Sequence, residues 1–218
     1  MIGVDEVGRG PLAGPVTVCA VAMRVGFKGS TFGPDSQGRT LGFGSRVRDS
    51  KALSAKQREA KLREFKELRA QGLLDWRVAS VSARVIDEKG IVPAVHLAIA
   101  QALRNLLSGE TAKLFGGRAC LPARQVTKCQ VLLDGGLRAP REYTNQRTIT
   151  RGDATVAIIA AASIIAKVHR DKYMARLARE FPWYGFEKHK GYGTREHYAL
   201  LKKHGISPPH RRTFLGLQ

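Results

Sequence analysis

The sequence predicts an α/β fold, a mixed β-sheet flanked by helices with a C-terminal helical extension. Three observations carry this. Two apolar strand patterns open the chain, at residues 1–8 and 15–23. Later strand patterns alternate with helical periodicity, the order that lays helices against the faces of a sheet. From Pro182 onward the apolar runs give way to basic and aromatic residues, so residues 1–181 read as the sheet-containing domain and 182–218 as a helical extension packed on it.

Each element has its own signal. The first two strands flank a turn-rich stretch, Gly8-Arg9-Gly10-Pro11-Leu12-Ala13-Gly14-Pro15. Val16, Val18, Ala20 and Ala22 alternate with Thr17, Cys19, Val21 and Met23, which predicts a strand buried on both faces. Residues 26–46 carry Gly26, Gly29, Gly33, Gly38, Gly42 and Gly44 with Ser30, Pro34, Asp35 and Ser36 among them, and are expected to form an exposed loop. Ser54 is a good N-cap for a charged helix from Ala55 to about Ala70, with Leu62, Phe65 and Leu68 as its apolar stripe. Trp76 to Val81 reads as a strand. Pro93 suits a first helical turn, and a helix runs on to about Leu107. Residues 108–128 have weak periodicity and read as another loop. Val131-Leu132-Leu133-Asp134 is a short apolar strand ending before Gly135-Gly136. Gly152-Asp153 opens a helix from about Thr155 to Glu180 whose first half is apolar nearly all round, the mark of a central buried helix. A last helix is expected over Thr194 to His204.

Composition narrows the function. Of 218 residues, 37 are Lys or Arg and 18 are Asp or Glu, a net charge of +19. Charge of this size says nothing about fold but favours a polyanionic partner, of which nucleic acid is the commonest. A basic surface with no such partner is the plainer reading. The three cysteines, Cys19, Cys120 and Cys129, form no CxxC and no even set, so neither a disulfide framework nor a zinc site is suggested. The start shows no basic segment followed by an apolar run, and the apolar stretch Ala154 to Ala166 is too short to span a bilayer. A cytoplasmic location and no membrane partner are expected.

Four acids stand where sites assemble in α/β sheets. Asp5 and Glu6 end the first strand, Asp134 ends an apolar strand, and Asp153 follows Gly152 at a helix start. Acids gathered in a basic protein repel phosphate, unless hard cations sit between carboxylate and phosphate. Mg²⁺ is held in this way, by a few carboxylates, water and substrate phosphate, and a pair of such ions can drive phosphodiester hydrolysis. Each acid has a simpler reading on its own. Asp134-Gly135 is a turn signal, and Asp153 is an N-cap. Asp5-Glu6 in an apolar strand is harder to set aside, because buried charge is costly without partners. Adjacent strand residues point to opposite faces. Either the chain bends at the glycine turn, or one acid reaches the ion by its backbone carbonyl or through water. Asp5 is expected to be the shared bridging ligand and Glu6 the less direct one.

The candidate substrate contacts are basic, small or aromatic. Gly8-Arg9-Gly10 can bring backbone N–H groups close to a sugar-phosphate chain and its 2′-OH. Asp49-Ser50-Lys51, and Ser163 with Lys167 one helical turn on, could contact phosphates; a capped turn and an ordinary helix-surface pair are the alternatives. Tyr192, inside Lys188-His189-Lys190-Gly191-Tyr192-Gly193, could stack on a sugar or base, or simply pack in a core. His169, His189 and His197 do not have zinc-ligand spacing.

These residues resemble the type 2 ribonuclease H family. Asp5-Glu6-Val7-Gly8-Arg9-Gly10-Pro11-Leu12-Ala13-Gly14-Pro15 is similar to its N-terminal signature, and Asp49-Ser50-Lys51 to its next motif. Leu133-Asp134-Gly135, Gly152-Asp153, Ala161 to Asp171, Lys190 to His197 and His210-Arg211-Arg212-Thr213-Phe214 follow in the family's order. The resemblance implies a ribonuclease H-like fold and a monomeric enzyme dependent on Mg²⁺ or Mn²⁺. Its substrates would be RNA–DNA hybrids and DNA carrying embedded ribonucleotides. It gives Asp5, Glu6, Asp134 and Asp153 as catalytic acids, Gly8, Arg9 and Gly10 as the turn that reads the 2′-OH, and Tyr192 as the residue stacked on the junction sugar. Residues 26–46 and 108–128 are longer than the family pattern. A type 3 relative would carry an extra N-terminal domain, whereas this chain opens on the signature. Residues 213–218 are a candidate sliding-clamp tail. A DNA-junction resolvase on the same fold is the nearest rival, and a binding protein without catalysis the next.

Overall fold

The computed structural model describes residues 1–23, 30–34, 40–42, 52–108 and 129–217. Its centre is a five-stranded sheet. β1 (Ile2–Val7) lies between β2 (Val16–Met23) and β6 (Val131–Asp134), and the strand order is β5-β2-β1-β6-β7, with β5 spanning Leu74–Val81 and β7 Gln146–Ile149. β1 pairs antiparallel with β2 but parallel with β6, and β7 continues the parallel side. The sheet is therefore mixed, as expected.

Helices cover both faces. α3 (Ile91–Leu107) packs on the face that carries Ile2, Val4, Val18 and Ala20. On the other face α1 (Ala55–Ala70) and the long α5 (Ala157–Glu180) close over Cys19, Val21 and Leu132. All eight residues of β2 are buried, which accounts for its unbroken apolar composition. α1 starts where Ser54 predicts. Ser54 accepts from the Gln57 N–H, and the Gln57 side chain accepts from the Ser54 N–H at 2.8 Å, a reciprocal capping box. Phe65 is the residue of its stripe that becomes fully buried.

A third apolar cluster, built from Ala13, Met174, Leu177, Tyr184 and Phe186, joins the glycine turn, the end of α5 and the C-terminal segment. That segment contains the short helix α6 (Phe186–His189), then α7 (Arg195–His204) with Thr194 as its N-cap.

Three expectations are corrected. Residues 26–46 are not all loop: β3 (Ser30–Pro34) and β4 (Thr40–Gly42) pair antiparallel as a separate two-stranded sheet. The strand formers at 30–32 and 40–41 outweigh the glycines around them. The helix expected from about Thr155 is in two parts, α4 (Gly152–Thr155) and α5, with Val156 extended between them. α2 (Ala83–Lys89), capped by Ser82, went unforeseen because it is too short to show a period. Most of 108–128 lies outside the described residues. Among the described residues no helix is long and apolar enough to cross a membrane.

Candidate active site

Gly3 determines how close α5 can come to β1. A Cβ at this position would sit 2.6 Å from the Ile158 carbonyl carbon, so the helix backbone rests directly on the strand. This brings Ser163, just over one helical turn beyond Ile158, over the end of β1. Its hydroxyl hydrogen-bonds the Asp5 carboxyl. Asp134 arrives from the neighbouring strand. The parallel register pairs Val4 with Leu133, and one residue further on each strand stand Asp5 and Asp134. Asp153 is brought in by α4: its backbone N–H donates to Asp134 Oδ1 at 3.1 Å, an approach that Val156, extended between α4 and α5, accommodates.

Asp5 and Glu6 are neighbours on the strand, which alternation would send to opposite faces, yet at the strand end the Glu6 charge acts on the Asp5 carboxyl. Burial first, then the charges of Glu6 and Asp134, push the Asp5 carboxyl well above the ordinary carboxylate range, and Ser163 offsets only part of this. Burial likewise raises Glu6, against the pull of Arg9, whose guanidinium lies 3.4 Å from Glu6 Oε1. The four expected acids thus lie at one end of the sheet. Among the described residues no group of three or more His, Cys, Asp or Glu side chains is arranged to hold a metal ion as it stands.

The glycine turn follows directly. Gly8 has φ +89° and the Arg170 side chain fills the space where a Cβ would go, so glycine is required twice over. Two buried arginines hold this turn from behind. Arg211 donates to the carbonyls of Gly8 (2.6 Å), Arg9 (2.8 Å) and Gly14 (2.9 Å). Arg170 donates to Ala13, Pro15 and Lys190 carbonyls. In a planar trans peptide the C=O of one residue and the N–H of the next point in opposite directions. With the Gly8 and Arg9 carbonyls drawn inward, the N–H groups of Arg9 and Gly10 turn outward. Arg9 and Gly10 are exposed there.

Tyr192 is 42% exposed, with the Arg170 guanidinium 5.9 Å from its ring centroid. It stands beside the turn, not in a core. Lys167 is paired with Asp171 at 2.8 Å, one turn along α5 from the acids. Lys51 lies outside the described residues. Sequence reasoning assigned no role to Arg170 and Arg211; basic residues in a chain this basic carry no mark of burial.

Similarity to known proteins now gives the class and the family. The fold matches the solved ribonuclease H2 of Pyrococcus horikoshii with a TM-score of 0.64 at 23% identity, covering 97% of this chain and 92% of that one. It also matches the ribonuclease HII solved with PCNA from Archaeoglobus fulgidus, with a TM-score of 0.60 at 24% identity, covering 100% of this chain and 94% of that one. The fold is the one these ribonucleases share. The family model for ribonuclease HII matches residues 2–216. The curated ribonuclease HII of Endomicrobium trichonymphae is 41% identical, over 97% of this chain and 83% of that protein. That of Caldicellulosiruptor bescii is 40% identical, over 98% and 85%. The chain belongs to the ribonuclease HII family and is a ribonuclease H, an endonuclease of RNA–DNA hybrids.

Proposed function

We propose that the enzyme cuts the RNA strand of hybrids and also cuts on the 5′ side of ribonucleotides embedded in duplex DNA, by two-metal-ion phosphodiester hydrolysis. One observation carries this reading: Asp5 is buried beside Glu6 and Asp134, and burial first, then their charges, push its carboxyl well above the usual range. A self-repelling carboxylate cluster on a chain of net charge +19 is costly unless cations share it. Its oxygen-only donors suit Mg²⁺ or Mn²⁺, ions that complete their shells with water and phosphate. Asp5, Glu6, Asp134 and Asp153 would hold them, Glu6 by its side chain. When bound, such ions supply an activated water and stabilise the leaving oxygen.

The chain's own residues do the rest. The outward N–H groups of Arg9 and Gly10 donate to backbone and 2′-OH oxygens of a ribonucleotide, with Gly8 giving the turn its shape. Tyr192 stacks on the neighbouring sugar. Lys51 and Lys167 attract phosphate, and Ser163 holds Asp5 in place. The C-terminal portion, 182–218, works as one unit with residues 1–181, since its Arg211 shapes the glycine turn. The enzyme acts as a cytoplasmic monomer. A sliding-clamp contact through residues 213–218 is a secondary reading. It would have to free Thr213 from Asp87 and Phe214 from the Arg211 guanidinium 5.1 Å away.

The test is cleavage of a DNA duplex with one embedded ribonucleotide, beside a continuous hybrid and an all-DNA control. Cuts at the 5′ side of the ribonucleotide in Mg²⁺ or Mn²⁺, and none in EDTA, are expected. Equal cutting of the all-DNA control would overturn the reading.

A further inference from the structure

Three histidines away from the acid cluster, His189, His197 and His210, are buried together. His189 and His197 stack with ring centroids 4.3 Å apart, and His197 Nε2 lies 3.1 Å from His210 Nε2. One of those two facing nitrogens carries a proton and the other does not, and the Tyr192 end decides which. His197 Nδ1 lies 2.9 Å from the Tyr192 carbonyl. A carbonyl only accepts, so the His197 proton sits on Nδ1, and His197 Nε2 accepts from His210 Nε2–H. His210 Nδ1 then accepts from the Ser207 backbone N–H at 3.0 Å and the Ser207 hydroxyl at 2.9 Å, with the Ser207 carbonyl 3.2 Å away. The relay runs Ser207 to His210, His210 to His197, and His197 to Tyr192, with both rings neutral. His189 is fixed in the same way, accepting from the Gly191 N–H at Nδ1 and donating from Nε2 to the Tyr184 carbonyl.

The relay ends on the residue that faces substrate. The Tyr192 carbonyl takes Thr194 N–H at 2.8 Å as well as His197 Nδ1–H, and its own N–H goes to the His189 carbonyl at 3.0 Å. Both sides of the Tyr192 backbone are therefore held from within this histidine cluster, while its ring is exposed.

We propose that His197 is a positioning residue for substrate: through the Tyr192 carbonyl it sets the angle of the exposed Tyr192 ring. This rests on the reading of Tyr192 as the residue that stacks on the junction sugar. The groups facing the relay are His189 on α6, the Tyr184 and Phe186 rings, and His204 beyond Tyr184. Glu196, beside His197 on α7, is tied to Lys188 at 3.2 Å on the solvent side. Burial, then the neighbouring histidines, lowers His210 to about 4, and burial also lowers His197. The relay is thus neutral at neutral pH.

The test measures binding of a fluorescent DNA duplex with one ribonucleotide by anisotropy, in EDTA so that no cleavage intervenes. Tyr192→Ala is expected to bind about tenfold more weakly, the size of one stacking contact. His197→Phe keeps the ring but loses the donor, and should match that loss. The double variant should be no weaker than either single one. His197→Asn, whose amide can donate from the place of Nδ1, should recover most of the affinity. Full affinity in a folded His197→Phe, or additive losses in the double variant, would overturn the proposal and leave the Tyr192 reading standing. Full affinity in Tyr192→Ala would overturn the Tyr192 reading itself, and the proposal with it.

Discussion

Arg211 Nη2 donates to the Gly8 carbonyl at 2.6 Å, across 203 positions of sequence. The contact ties the last segment of the chain to the turn beside the acids.

Replacing this arginine should cost both stability and selectivity. Arg211→Met leaves the Gly8, Arg9 and Gly14 carbonyls without their donor, and buried polar groups left unpaired cost about 1–3 kcal/mol each. A loss of at least ~3 kcal/mol is expected in guanidinium denaturation. At permissive temperature the variant should also prefer ribonucleotide-containing duplex over all-DNA less than the native chain does. Native stability would show that Arg211 does not hold the turn.

Gly3→Ala tests how α5 is seated. The added methyl meets Ile158 backbone, not a flexible side-chain tip, so the helix must shift and carry Ser163 off Asp5. Overpacking of this kind costs about 1–3 kcal/mol. The urea midpoint should fall, and cleavage should fall further than stability alone explains. Unchanged activity would mean that Ser163 does not need its present place.

Asp87 anchors the segment after Arg211. Its carboxylate accepts from the Arg212 N–H at 2.9 Å, the Thr213 N–H at 3.0 Å and the Thr213 hydroxyl at 2.6 Å. Partial burial works against its charge, but these donors win and hold the carboxyl below its ordinary value. The sign follows: the stabilisation is present above the unfolded pKa of about 4 and is lost as pH falls below it. Asp87→Ala should therefore destabilise by roughly 1 kcal/mol at pH 7, as loss of an exposed cap does, and by less at pH 3. An equal loss at both pH values would mean the charge plays no part.

His210 has the opposite character. Its folded pKa of about 4 lies under the unfolded value of about 6.5. The folded state then binds fewer protons, so stability is full above pH 6.5 and declines down to pH 4. That displacement corresponds to on the order of 3 kcal/mol before solvent screening. His210→Asn should give a flatter stability profile across pH 4–6.5 by thermal melts. A profile as steep as the native one would place the acid sensitivity elsewhere.

The sequence was most legible where one residue type does one job. Strand ends marked Asp5 and Asp134, and Ser54 marked the start of α1. The side of Asp5 that meets Glu6 was not legible, because strand alternation separates the two side chains and only the strand end reunites them. Ser163 and Lys167 share a helix face, but their partners, Asp5 and Asp171, depend on how α5 lies. Arg170 and Arg211 were hidden because each is buried by elements far away in sequence, and the His197–His210 contact because it joins a helix to the loop 13 residues on; no local period records either. The hairpin β3–β4 was hidden behind its glycines.

On the proposed function, Asp5, Glu6, Asp134 and Asp153 form one metal-dependent cutting site directed at ribonucleotides. The most direct measurement is cleavage by the native chain and by Asp134→Asn of a DNA duplex with one ribonucleotide, in Mg²⁺, in Mn²⁺ and in EDTA, with binding followed in parallel. The native chain should cut at the 5′ side with either ion and not in EDTA, while Asp134→Asn binds the duplex but cuts at least about 100-fold more slowly, the usual scale for losing a group that stabilises charge in the transition state. Full-rate cutting by Asp134→Asn, or by the native chain in EDTA, would contradict the claim.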